Sequence, residues 1–116
     1  MNRPSSELLE YVKCLDHYHS EMTSLVERLC NQNSGTHNLE GLLKVQEILL
    51  SESSVLNAKT DVYDIPPQSC VDDAGQLIAK PLGRLLHIVK RPEIRPRVLL
   101  CIHMAVSYTH LTLPTT

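Results

Sequence analysis

Tryptophan and phenylalanine are absent from this chain, and tyrosine is its sole aromatic, at Tyr11, Tyr18, Tyr63 and Tyr108. A core must therefore be built from Leu, Ile, Val and Met, which suits helix packing better than a β-sandwich rich in aromatic and β-branched residues. Glycine is scarce, with four in the chain. No G-x-x-x-x-G-K phosphate loop and no G-x-S-x-G nucleophile elbow is present, which removes the usual glycine-framed sites for nucleotides and acyl transfer. No run reaches the roughly eighteen apolar residues that a membrane-spanning helix needs. The start, MNRPSSELLE, turns acidic and amphipathic at once, unlike a secretory signal peptide. Cys14, Cys30, Cys70 and Cys101 are scattered without C-x-x-C spacing. Reduced thiols in a cytoplasmic or nuclear protein are expected rather than a disulfide framework.

What is present is distributed unevenly. The net charge of −2 hides an acidic and a basic end. Residues 1–73 carry five Lys/Arg against twelve Asp/Glu, whereas residues 80–97 hold Lys80, Arg84, Lys90, Arg91, Arg95 and Arg97 against Glu93 alone.

Hydrophobic periodicity is strongest at the N-terminal end. Leu8, Val12, Leu15, His19, Met22, Val26 and Leu29 recur at alternating spacings of four and three, and Tyr11, Tyr18 and Leu25 lie beside them. This is one broad apolar helical face. Ser5 or Ser6 suits the N-cap and Glu7 and Glu10 suit the positive end of the dipole. The run Asn31–Asn38 is turn chemistry. A second helix is expected from about Leu39 to Leu56, weakened at its end by Ser51, Ser53 and Ser54. The pair predicts an antiparallel hairpin. Pro66 and Pro67 make the following segment extended. Ser69 and Asp72 resemble a capping box, so a third helix is expected from near Val71, with the stripe Ile78, Leu82, Leu85, Val89 continuing past Pro81 at helical spacing. Val98–Ala105 reads as the first turns of a buried helix, a short buried strand being the lesser reading.

The last residues stand apart. Val106–Thr116 (VSYTHLTLPTT) resembles a translated sequencing-library adapter, the transposon end used to fragment DNA, whose reading frame encodes VSYTHLTLPT. The resemblance implies a non-native, disordered tail and a body that is a truncated fragment, so Tyr108 and His110 belong to no site. The whole reading is an all-α fold. Residues 1–56 are a helical hairpin, 57–70 an extended Pro-containing loop, 71–105 further Pro-punctuated helices of a larger helical domain or array, and 106–116 the tail.

The chemistry-bearing residues are weighed against plainer roles. Cys14, His17 and His19, and Cys101 with His103, are metal-ligand types, but their spacings do not share one helical face as zinc sites require. No metal, cofactor or catalytic residue is assigned, and the expected function is non-enzymatic. The basic stretch has the residue types for phosphate, as nucleic acid or anionic lipid, with Arg84, Lys90, Arg91, Arg95 and Arg97 as candidates. It lacks aromatics for base stacking. Lys80, Arg84, His87 and Arg91 would share an exposed face if the helix ran through Pro81.

Thr60–Pro67 (TDVYDIPP) is similar to the Tyr-Asp-x-Pro docking motif of the Cas family of adhesion scaffold proteins. That resemblance implies a phosphorylated Tyr63, with Asp64 and Pro66, read by SH2 domains. Lys80–Ala105 looks a little like a Pro-punctuated helix pair of syntaxin-binding, vesicle-fusion regulators, which implies a trafficking role. The expected role remains a helical interaction or scaffold segment of a larger intracellular protein, its partner another protein or the remainder of its own chain.

Overall fold

The computed structural model describes residues 5–105, and they fall into two compact units that divide after Asn31. The first unit is helical. The Ser5 hydroxyl oxygen accepts from the Leu8 amide at 3.3 Å and opens α1, Ser6–His17, with Glu7 in its first turn. Helical bonding bends at Tyr18, whose N–H donates to the Leu15 carbonyl at 3.0 Å and whose carbonyl accepts from Met22 at 2.9 Å. α2, His19–Cys30, follows directly. No residue of either helix is buried.

The second unit begins with the polar turn. Asn38 caps α3, Leu39–Ser53, by accepting from the Gly41 amide at 3.0 Å. Its side-chain amide also donates to the Asn33 carbonyl at 3.0 Å. That carbonyl sits so close that a Cβ on Gly41 would lie 1.7 Å from it, so only glycine fits there. Serines end the helix: Ser53 and Ser54 donate their hydroxyls to the Leu50 and Ser51 carbonyls, competing for acceptors the helix would use. One 3₁₀ turn, Ser54–Leu56, then stops at Asn57, which takes the left-handed conformation at φ 47°.

The rest is a β-ribbon. β1 (Lys59–Asp64) pairs antiparallel with β4 (Arg84–Val89), and β2 (Gln68–Val71) with β3 (Leu77–Lys80). The outer pairing ends at Asp64↔Arg84 and the inner one resumes at Gln68↔Lys80, so three residues on each strand are skipped and the register is unchanged. The skipped residues are Ile65-Pro66-Pro67 and Pro81-Leu82-Gly83. Proline lacks the ladder donor, which is why pairing lapses there. The tip closes at Asp72, whose Oδ1 accepts from Ala74 at 2.9 Å and Gln76 at 2.8 Å, while Gly75 donates to the Asp72 carbonyl at 3.0 Å with φ 76°. This is a three-residue hairpin loop whose left-handed position falls to glycine.

The core is small. Leu42 and Val45 of α3 are the buried apolar side chains among the described residues, at 7% and 4% exposure, with Gln46 and Ser34 the buried polar ones. Leu42 lies against Gly83, where an added Cβ would come within 3.0 Å of its Cδ1.

Four expectations are corrected. The fold is not all-α but mixed, with helices and two antiparallel two-stranded sheets. The helical-hairpin description of residues 1–56 does not hold, because the first helix divides at Tyr18 and α3 leads into strands. Where helices were expected from near Val71, β2 ends and a turn, β3 and β4 follow: the apolar runs between prolines are too short to repay helix nucleation and alternate well enough for strands. Val98–Ala105 is irregular and mostly exposed, not the start of a buried helix. Nothing tests the order of the tail, because residues 106–116 lie outside those described.

Candidate functional site

Tyr63 and Asp64 do not sit in a loop. They close β1, in the ladder opposite Leu85 and Arg84. Tyr63 is 49% exposed and its ring tilts toward His87, with 6.2 Å between ring centroids. Strand alternation sends Asp64 to the opposite face, where its Oδ1 accepts from Arg84 Nε at 2.9 Å. Pro66 follows in the first gap in the ribbon. The three docking residues are thus adjacent, but the backbone a reader domain would need in extended form is bonded to β4. Phosphopeptide binding at Tyr63 would have to unzip the ribbon's outer half.

The basic residues are dispersed. Arg84 is paired with Asp64, and Lys90 donates to the Leu56 carbonyl. Arg91 takes a left-handed conformation, φ 50°, just beyond β4. Arg95 and Arg97 do converge: both guanidinium groups donate to the Pro92 carbonyl, Arg95 at 3.0 Å. The helical face of Lys80, Arg84, His87 and Arg91 does not exist, because β3, β4 and an irregular segment hold these residues, and alternation places Arg84 and His87 on opposite faces.

The metal-type residues are not gathered either. Cys14 lies within α1, His17 ends it and His19 begins α2, while Cys101 and His103 are in the irregular segment. Among the described residues no group of three or more His, Cys, Asp or Glu is placed to hold a metal ion. All four cysteines are free thiols.

Two further surface features bear on function, and the first of them escaped the sequence reading. The first is an open groove of about 230 Å³ where α3 meets the gap in the ribbon, lined by Leu39, Leu42, Leu43, Gln46, Leu82, Gly83 and Arg84. It falls below the size of most small-molecule sites. The second is the extent of exposed apolar surface. Leu8, Leu9, Val12, Leu15, Met22 and Val26 are exposed along α1 and α2, and Val98, Leu99, Leu100 and Ile102 are 79–84% exposed. The periodicity of residues 8–29 announced the first of these surfaces. No described helix is long and apolar enough to cross a membrane.

No family model, curated protein or solved structure matches this chain.

Proposed function

We propose that this chain is a non-catalytic protein-interaction segment, whose apolar faces are covered by other polypeptide, either a partner or more of its own chain. The supporting observation is that α1 and α2 bury none of their residues while leaving Leu8, Val12, Leu15, Met22 and Val26 exposed. Soluble proteins rarely leave large contiguous apolar patches bare, and such patches mark interaction surfaces. The nearly full exposure of Val98–Ile102 supports the same reading. In this proposal Val106–Thr116 is an adapter-encoded addition and contributes nothing.

A fluorescent probe of exposed apolar surface, followed through a thermal melt, tests the reading. The isolated chain should bind the dye at low temperature and unfold broadly, without a sharp high-melting transition. A cooperative, high-melting monomer that leaves the dye dark would overturn it. A second reading, phosphotyrosine docking at Tyr63, draws support from the half-exposed ring and the adjacent Asp64. It predicts that a phosphorylated peptide of residues 58–70 binds an SH2 panel better than the unmodified one, and equal weak binding would end it.

A further inference from the structure

We propose that α1 and α2 form a parallel two-stranded coiled coil with a second copy of this chain. The inference rests on the interaction-segment reading and names the partner of its helical face.

The spacing of the seam carries the argument. Counting Leu8 as heptad position d, positions d hold Leu8, Leu15, Met22 and Leu29, and positions a hold Val12, His19 and Val26. The four–three alternation passes through Tyr18 without a skipped or added residue. In the single chain α1 ends and α2 begins at Tyr18, at φ −98° and ψ 5°, with the Met22 N–H to Tyr18 carbonyl bond opening α2, so pairing along the seam would straighten this joint. A repeat held at 3.5 residues is what keeps one seam facing a partner helix as the two supercoil. Charge follows the same wheel. Glu7, Glu10, Lys13, Glu21, Glu27 and Arg28 all fall at positions b, c and f, the outer surface of such a dimer, and Asp16 alone stands at an e position.

The residue types select the assembly. β-branched valine at a with leucine at d favours two parallel strands over three or four. The polar His19 at an a position is the kind of residue that fixes register at some cost in stability. Tyr11, Tyr18 and Leu25 at g widen the seam on one side, where they would fold over the core of the partner's helix. A second copy brings the same faces to the same seam, so each apolar side chain meets its own counterpart.

The test is sedimentation equilibrium of the full chain from about 1 to about 100 µM, repeated for Leu15→Asp at the seam and for Glu10→Gln on the outer surface. The expected result is a concentration-dependent dimer that Leu15→Asp abolishes and Glu10→Gln leaves unchanged. With the native cysteines replaced by serine, Leu8→Cys should form an intermolecular disulfide under mild oxidation, because d residues face each other in a parallel pair. A parent chain that stays monomeric overturns the proposal. If that monomer still binds the apolar-surface dye, the interaction reading survives with another occupant; if it does not, both fail. Self-association untouched by Leu15→Asp also overturns the proposal and places the contact elsewhere, Val98–Ile102 being the alternative surface. A dimer without the Leu8→Cys crosslink overturns the parallel arrangement.

Discussion

Gly41 shows how one missing side chain can govern an element. Alanine has the higher helix propensity, by about 1 kcal/mol, and on that ground Gly41→Ala should stabilise α3. The Asn33 carbonyl, 1.7 Å from where the methyl would sit, reverses the sign. Overpacking against backbone costs roughly 1–3 kcal/mol, so Gly41→Ala should lower the urea midpoint. The same turn offers a milder test. The Lys44 ammonium donates to Glu40 at 2.8 Å, and that bond first, then the attraction of the charges, holds the Glu40 carboxyl below its ordinary 4.5 and the Lys44 ammonium above its ordinary 10.5. A depressed carboxyl contributes above its unfolded value and loses its effect as pH falls through the folded one. A raised ammonium contributes below 10.5 and is lost as pH rises past it. An NMR titration of Glu40 should therefore give a midpoint below 4.5, and Lys44→Met should bring it back toward that value.

Among elements, the ribbon's tip and its midpoint bear different loads. At the tip Gly75 stands at φ 76°. A side chain there meets no neighbouring atom but does meet its own backbone, at a cost of about 1–2 kcal/mol. Gly75→Ala should thus speed amide exchange at Cys70 and Ile78, the first hydrogen-bonded pair beyond the turn, without altering α3. At the midpoint, Asp64→Asn removes an exposed ion pair of a kind that contributes up to about 1 kcal/mol, so its effect on stability should be small and should vanish in high salt. The helices were legible in the sequence because Leu8–Leu29 and Leu39–Leu50 sustain one period for several turns. The ribbon was not, because two coincidences imitated a helix. Ser69 and Asp72 have capping-box spacing, yet Asp72 spends its carboxylate on a turn. Ile78, Leu82, Leu85 and Val89 have helical spacing, yet a proline lies among them. The clue passed over was the pairing of β-rich Thr60–Tyr63 with Leu85–Val89 on either side of a Gly-containing acidic turn. Register between distant segments is not written in either segment alone. For the candidate site, the sequence supplied Tyr63 and Asp64 as neighbours but not their bonding to β4, which depends on residues twenty positions away.

As a whole molecule, the described chain has far more apolar surface than its core occupies. Burying a leucine or valine side chain contributes about 1.5–3 kcal/mol, and among the described residues Leu42 and Val45 are the buried apolar side chains. Every ordered residue meanwhile carries a conformational cost. An added cover over α1 and α2, such as the second copy proposed above, would be expected to raise the melting temperature with protein concentration, since association stabilises by mass action. Scanning calorimetry at several concentrations measures this, and a melting temperature independent of concentration would argue against self-association as the source of stability.

The gap at Ile65–Pro67 and Pro81–Gly83 also sets how this ribbon tolerates change in length. Because equal numbers of residues are skipped on the two strands, the alignment that the Asp72–Gln76 turn sets in β2 and β3 matches the one between β1 and β4. Deleting Pro66 alone would leave two residues facing three across the gap, a mismatch taken up as a bulge that re-aims the distal hairpin, whose own register its turn fixes. Deleting Pro66 together with Leu82, its counterpart across the gap, would shorten both sides equally and leave the partners matched. The interval therefore behaves like a splice with a fixed rule of symmetry: the arm can lengthen or shrink there, provided both sides do so in step.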